Sequence, residues 1–174
     1  TGLKYDATGE YYRAGLMNYP LGGAFNSRIN LNLREDKGWT YGARSGFSGD
    51  KYSGEFSFNA GIRSNATDSA LTEVLNELKN YASSGIRQDE LEFMKRAIGQ
   101  RDALRYETGF QKAGFIRQII YYGLPEDYTR QQNQILSAIS KEEISALAAK
   151  WIHPDRMNIL LVGDKQKILP GLQK

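Results

Sequence analysis

The strongest constraint on the fold lies in residues 39–62, where two runs of alternating residues flank a short polar turn. The first run, WTYGARSGF, starts at Trp39, and the second run, YSGEFSFNA, starts at Tyr52. The residues between them, SGDK at 48–51, are of the kinds that form tight turns. Alternation with a period of two on both sides of such a turn predicts an antiparallel β-hairpin.

Helical patterns surround this hairpin. Residues 7–19 carry apolar side chains at helical spacing and stop at Pro20. Five later stretches show the same spacing: residues 66–84, 88–106 and 109–122, a helix opened by Pro125, and a helix capped by Ser140 that ends near Trp151.

Residues 25–36 fit two structures. Ile29, Leu31 and Leu33 alternate as in a strand, whereas Phe25, Ile29 and Leu33 repeat at every fourth residue as in a helix. The residues alone leave both alternatives open.

A last strand is predicted at residues 157–162, MNILLV, a short apolar run that ends at Gly163. Hairpin, helices and last strand together predict a single α+β domain over residues 1–174, with helices on one face of a small antiparallel-rich sheet. Three strands make a thin sheet, so we expect an N-terminal strand that belongs before Thr1 to be missing. Thr1 is not a natural start, and we expect the chain to be an excised part of a longer one.

Composition narrows the possible chemistry. Cysteine is absent, which excludes disulfides, thiol nucleophiles and cysteine-based zinc sites. His153 is the only histidine, so no metal site with two histidines can form within the chain. No apolar run approaches the roughly 20 residues of a membrane helix. The net charge is +3, and the basic residues are scattered along the sequence rather than clustered in one stretch. A nucleic-acid-binding module is therefore ranked last among the function classes considered.

Several candidate sites have simpler structural interpretations. Gly22 and Gly23 lead into a possible helix, but no phosphate-loop motif follows, and a tight turn is the better interpretation. His153 could act as a base beside Asp155, but a histidine at a helix end is favoured. Acids at helix starts are favoured by the helix dipole, so the pairs at 89–90 and 142–143 are interpreted as structural. The remaining pair, at 35–36, stays open.

The stretch LREDKGWTY, residues 33–41, holds the two most conspicuous residues, Arg34 and Tyr41. A guanidinium and a phenol are both hydrogen-bond donors, suited to a peptide carbonyl or an oxyanion. The alternative is a solvated arginine and a tyrosine whose ring packs on the sheet. The pattern alone does not decide between them.

Residues 21–41, LGGAFNSRINLNLREDKGWTY, resemble the C-terminal, non-catalytic domain of the M16 family of zinc metallopeptidases, which includes insulinase, pitrilysin and mitochondrial processing peptidase. The family pattern is LGG, three residues, SRL, a short spacer, then LRE followed by a glycine and an aromatic residue. LGG, SR and LRE match, as do Gly38 and Tyr41, while Ile29 replaces the usual leucine. The resemblance implies a domain of the LuxS/MPP-like metallohydrolase type and a helix at residues 25–36.

The resemblance also implies roles for two residues. In this family two homologous domains close over a peptide; one carries zinc on H-x-x-E-H and a distal glutamate, and the other lends an arginine and a tyrosine seven positions apart. If the same roles apply to this sequence, the resemblance implies that Arg34 holds a substrate carbonyl and that Tyr41 stabilises the tetrahedral oxyanion. H-x-x-E-H is absent here, so the chain has no metal ligands and no activity alone.

The resemblance further implies the partners. Zinc is expected in an M16-like catalytic domain, in the same chain or in a partner subunit, and the substrate is a peptide. The alternative is a scaffold or interaction subunit of an M16-like assembly without peptidase activity. Bacterial members of this family are often exported, which implies a periplasmic location, with the cytoplasm as the alternative.

Overall fold

The computed structural model describes residues 2–102 and 107–173. Two strands are present in this part, β1 (Thr40–Gly49) and β2 (Gly54–Ile62). The helices are α1 (Glu10–Asn18), α2 (Arg28–Asn30), α3 (Thr67–Ser84), α4 (Gln88–Asp102), α5 (Gly109–Tyr122), α6 (Tyr128–Ala138), α7 (Lys141–Trp151) and α8 (Lys165–Leu172). Two π-helical turns, Tyr19–Gly23 and Leu31–Asp36, extend α1 and α2.

The predicted α+β fold is confirmed. The hairpin and the predicted helices form close to their expected bounds. Within the stretch 25–36, residues 28–36 are helical, as the resemblance implies, whereas residues 25–27 form a turn before α2. The end of the helix predicted over 88–106, residues 103–106, lies outside the described residues. Helix α8 was not predicted, because it is short and contains Pro170. No helix of the described residues has the length and apolar character needed to cross a membrane.

The hairpin is antiparallel, and its register brings aromatic residues together. Phe47 lies opposite Phe56, with ring centroids 5.0 Å apart. The backbone amides of Tyr52 and Ser53 donate to the Asp50 carboxylate at 2.7 and 2.8 Å, which closes the turn. Local side-chain bonds of this kind favour a turn over a continued strand.

The core lies where the helices meet the hairpin. Helices α1 and α3 both pack on α7, and α1 also packs on β1. Met17, Leu78 and Ile144 are fully buried there. Tyr81 is buried as well, and its hydroxyl donates to the carbonyl of Met17 at 2.8 Å, which satisfies the one polar atom of its side chain.

The buried strand predicted at residues 157–162 is wrong. The segment forms no ladder with any described residue, and Leu160 and Val162 are 85% and 90% exposed. An apolar run supplies side chains for a sheet, but a strand also needs a neighbouring strand for its backbone N–H and C=O groups. In the described part of the chain this segment has no such neighbour.

Candidate functional site

The connection that carries the two candidate residues is a helix end closed by a left-handed glycine. Gly38 has φ +60°, and its N–H donates to the carbonyl of Arg34 at 3.1 Å. The N–H of Trp39 reaches the carbonyl of Leu33 at 2.9 Å. The first bond, from a left-handed glycine to the carbonyl four residues earlier, is that of an αL cap, which ends the π-helical turn and sets the direction in which β1 leaves it.

A β-bulge follows at once and determines where Tyr41 points. Thr40 lies opposite Ile62 and Ala43 lies opposite Ala60, so two residues of β1 face only Gly61 of β2. An extra residue of this kind turns a side chain away from its regular direction. Tyr41 is one of the two bulged residues.

The bulge is braced by the hydroxyl of Thr40. This hydroxyl donates to the carbonyl of Gly61 at 2.8 Å and accepts the N–H of Gly42 at 3.0 Å. Thr40 itself is nearly buried, whereas Tyr41 is fully exposed. No hydrogen bond, ion pair or ring contact joins the side chain of Tyr41 to any described residue. The sequence-based alternative, a tyrosine packing its ring on the sheet, is therefore not what this part of the structure contains.

Arg34 is held from two sides. Its guanidinium carbon lies 4.4 Å from the ring centroid of Phe25, and its Nη1 donates to Oε1 of Glu35 at 2.7 Å. Cation–π stacking leaves the edge of a guanidinium free for hydrogen bonds. Glu35, left open at the sequence level, is thus the counterion of Arg34.

Asn30 ties these features together. Its side-chain amide donates to the carbonyl of Phe25 at 2.7 Å, and its Oδ1 accepts the N–H of Ala43 at 2.9 Å. Asn30 is buried, so these bonds are protected from water. One side chain therefore fixes the residue that stacks under Arg34 and the strand residue that follows the bulge. Asn30 and Phe25 were not among the candidate site residues of the sequence, although the asparagines that alternate with apolar residues at 29–33 were a visible signal.

The glycine pair before α2 serves close packing rather than phosphate binding. A Cβ on Gly22 would lie 2.1 Å from Oγ and 2.7 Å from the backbone N of Ser45 on β1. The same serine exchanges two hydrogen bonds with the buried Asn18, at 2.6 and 2.7 Å. The glycine thus lets the helical layer lie against β1, and both glycines belong to the π-helical end of α1 rather than to a separate tight turn.

Arg28, the arginine of the Ser-Arg sequence in the family pattern, forms a nearly buried ion pair. Arg28 donates to both carboxylate oxygens of Glu90, at 2.6 and 2.7 Å, and to the carbonyl of Gly85 at 3.1 Å. Its guanidinium carbon lies 4.8 Å from the Tyr81 ring centroid. Desolvation acts to lower the pKa of Arg28, but the bonds and charge of Glu90 outweigh it and raise that pKa. Glu90 is structural, as its place near a helix start indicated.

His153 is a helix-end residue. Its Nε2 donates to the carbonyl of Lys150 at 2.9 Å, at the C-terminal end of α7 where a donor is favoured. Asp155, the candidate partner from the sequence, forms no bond to it within the described residues. The same part of the chain contains no group of three histidine, cysteine or acidic residues that could hold a metal ion.

Comparisons with known proteins identify relatives. The family model described as "Peptidase M16 inactive domain" matches residues 2–98. A Helicobacter pylori protein named "Non-peptidase homolog YmxG" is 23% identical over 157 residues, covering 89% of this chain and 36% of that protein. The chain thus spans about a third of the length of this curated relative.

Solved structures share the fold. A peptidase M16 inactive domain from Pseudomonas fluorescens superposes with a TM-score of 0.80 at 26% identity, covering 89% of this chain and 36% of that one. The periplasmic protease PqqL from Escherichia coli gives a TM-score of 0.67 at 17% identity, covering 87% of this chain and 16% of that one.

Proposed function

We propose that this chain, which belongs to the peptidase M16 inactive domain family, is the non-catalytic, substrate-binding half of a zinc-dependent M16-like endopeptidase. The observation that carries the proposal is the outward presentation of Tyr41 on a braced bulge, seven residues after an arginine held on an aromatic ring. A phenol that is fully exposed on a braced bulge is placed for contact with another molecule.

The chain's own residues do not fit the zinc ion. The sequence lacks H-x-x-E-H, and His153 is committed to the end of α7. The proposal therefore assigns zinc, and the Lewis-acid chemistry it supplies, to a catalytic domain in the same chain or in a partner subunit. The work left for this domain is to bind and orient the peptide.

Arg34 is suited to holding a substrate carbonyl. Its bond to Glu35 uses one of five guanidinium N–H groups, and the Phe25 ring occupies one face rather than the edge. The remaining N–H groups of the edge can donate to a neutral peptide oxygen without breaking the ion pair. Because the side chain is already held in place, less conformational entropy is lost when a peptide binds.

Tyr41 is suited to stabilising the transition state in the same site. A phenol donates one hydrogen bond, and a donor aimed at an oxygen that gains charge in the transition state lowers the barrier. The bulge holds the backbone of Tyr41 while its side chain remains in solvent. It can therefore complete an oxyanion site when a catalytic domain closes against this one.

The test uses the full-length parent protein and a fluorogenic peptide. We expect the combination of Arg34→Ala and Tyr41→Phe to reduce kcat/KM strongly, and Arg63→Ala, an exposed arginine beyond the end of β2, to leave it unchanged. Equal activity in all three proteins would remove both proposed roles.

A scaffold or interaction subunit is the second candidate, and the relative named a non-peptidase homolog favours it. The two candidates differ in whether the parent protein, or a co-purifying subunit, carries H-x-x-E-H. Peptide cleavage that disappears with a zinc chelator and returns with added zinc supports the peptidase. Absence of H-x-x-E-H from the parent protein and from every co-purifying subunit, together with no peptide cleavage, supports the scaffold.

A periplasmic location belongs to the same proposal. It is supported by the neighbour from Escherichia coli, which is described as a periplasmic protease. Fractionation of cells that express the full-length protein tests it, with recovery in the osmotic-shock fraction expected and recovery in the cytoplasmic fraction contradicting it.

A further inference from the structure

Helix α5 is attached to the rest of the domain by one face only. On its inner face Phe115 stacks on Tyr128 of α6, with ring centroids 5.5 Å apart. None of the residues of α5 is buried, however, and on the opposite face Phe110 and Ile120 are 90% and 75% exposed. The outer face of α5 is therefore open to solvent in the described structure.

The exposed apolar residues of α5 form one stripe. Phe110, Ala113, Ile116 and Ile120 follow one another at spacings of three, three and four residues, so they are neighbours on the helix surface. A surface helix is ordinarily apolar on the side that faces the core and polar on the other. A contiguous apolar stripe on the outer side is typical of an interaction surface.

The stripe contains a shallow depression. It is lined by Ala113, Ile116, Arg117 and Ile120, with Tyr121 at its side. The first four stand at i, i+3, i+4 and i+7, which is the set of four residues that forms the hole for a side chain of a packed helix. Ala113 has the smallest of these side chains and leaves the space open. The shape of this surface therefore fits another helix.

The charges on and beside the outer face are all positive. Helix α5 contains Lys112 and Arg117 and no acidic residue. Lys51 of the hairpin turn lies at the same surface, with its Nζ 4.3 Å from the ring centroid of Tyr121. Within the described residues, no carboxylate forms an ion pair with any of these three cations. Complementarity therefore requires a partner that brings acidic side chains.

Two properties of the outer face indicate what kind of partner it fits. A second copy of this chain is not complementary, because α5 packed on α5 would bring Arg117 and Lys112 against the same cations. The face is also small. A helix of this length is about 21 Å long and about 10 Å wide, so it offers on the order of 200–300 Å², well below the roughly 800 Å² per partner of a stable interface. This size fits a transient contact with a separate protein.

We propose that the outer face of α5 is a docking site for an acidic amphipathic helix of a separate partner protein. The partner helix places an apolar side chain in the depression over Ala113 and a carboxylate against Arg117. The docking site is independent of the proposed roles of Arg34 and Tyr41, since neither residue belongs to α5.

The test uses the full-length parent protein and a labelled synthetic helical peptide with leucine at every third or fourth residue and glutamate on both flanks. A matched peptide carries lysine in place of glutamate. Fluorescence anisotropy is measured with a zinc chelator present, so that no peptide is cleaved. We expect at least about tenfold tighter binding of the glutamate peptide, and a preference that shrinks as salt is added. No binding of the glutamate peptide, or equal binding of both, overturns the proposal.

A charge exchange locates the peptide on the helix. Arg117→Glu should weaken binding of the glutamate peptide by at least about fivefold and strengthen binding of the lysine peptide. The control is Arg63→Glu, which makes the same charge change at an exposed residue at the opposite end of the hairpin from Lys51, and it should alter neither affinity. Equal effects of the two variants would show that only net charge matters and would overturn the proposal.

An apolar variant tests the depression itself. Ile120→Asp should weaken binding of the glutamate peptide by at least about tenfold, because it removes apolar surface and adds a like charge. Its melting temperature should equal that of the unmodified protein, since Ile120 is exposed. A large fall in the melting temperature of the full-length protein would show that another part of the same chain covers this face, which contradicts a separate partner.

Two further measurements distinguish other binding sites and partners. Arg34→Ala should leave the affinity for the glutamate peptide unchanged, and a loss there would place the peptide at the proposed substrate site instead. Vesicles of phosphatidylglycerol should not sediment the protein. Sedimentation that Ile120→Asp abolishes would identify an anionic membrane surface as the partner and overturn the proposal.

Discussion

The guanidinium of Arg34 lies over the face of the Phe25 ring, with 4.4 Å between the guanidinium carbon and the ring centroid. The two lie nine positions apart in the chain, and the loop and helix between them are held by Asn30. An arginine proposed to bind substrate is thus positioned by an aromatic residue that sequence analysis did not select.

Phe25→Leu in the full-length enzyme should weaken the positioning of Arg34. An exposed cation–π contact is worth about 0.5–1 kcal/mol, which corresponds to a roughly two- to fivefold rise in KM. The control is a double-mutant cycle: in an Arg34→Ala background, Phe25→Leu should have no further effect on KM. Additive effects would mean that Phe25 acts independently of Arg34.

Tyr41→Phe removes the phenolic hydroxyl alone. If it is an oxyanion donor, kcat should fall by something on the order of 10- to 1000-fold with little change in KM. Tyr52→Phe is the matched control, because Tyr52 is also an exposed tyrosine (79%) but lies in the hairpin turn. Steady-state kinetics on one peptide measures both, and an unchanged kcat for Tyr41→Phe contradicts the role.

Gly22→Ala should destabilise the fold. The new Cβ would meet both the side chain and the backbone of Ser45, and overpacking of this kind costs about 1–3 kcal/mol. Gly15→Ala is the comparison, since its Cβ would contact nothing and alanine in a helix gains about 0.5–1 kcal/mol. Urea unfolding of both variants checks the prediction, and equal midpoints would contradict it.

Glu90→Ala should be strongly destabilising, because it leaves the nearly buried guanidinium of Arg28 without its carboxylate partner. Breaking such a pair costs about 3–5 kcal/mol. Asp89→Asn, one residue away but exposed, should change stability by less than about 0.5 kcal/mol. Thermal unfolding distinguishes the two, and similar melting temperatures would show that the ion pair contributes little.

A fall in pH should weaken the contact between α1 and α7, because protonation of Glu10 removes its negative charge. Hydrogen bonds from Lys150 and Trp151 hold the pKa of Glu10 below its ordinary value of 4.5. A lowered folded-state pKa means that this contribution is complete above pH 4.5 and is lost as the pH falls through the folded-state value. Glu10→Gln should therefore reduce the loss of stability below pH 4.5, measured by urea unfolding at several pH values.

Sequence periodicity was sufficient for the hairpin and most helices, because alternation and helical stripes depend on nearby residues. It failed at residues 157–162, where the outcome depended on a neighbouring strand rather than on the segment itself. Arg34 and Tyr41 were conspicuous in the sequence, but their roles were assigned by resemblance and remain predictions. The roles of Phe25 and Asn30 and the bulge at Tyr41 depend on contacts between elements, which the periodicity of the sequence does not encode.

The αL cap at Gly38 and the bulge after Thr40 lie at the two ends of the interval between Arg34 and Tyr41. The backbone is hydrogen-bonded at both ends, so a single inserted residue would disrupt either the cap or the bulge. In a strand, a shift of one position also inverts the face on which every later side chain lies. The spacing of seven residues between Arg34 and Tyr41 is therefore fixed by the backbone of this connection. Substitutions within the connection should be tolerated more easily than insertions or deletions.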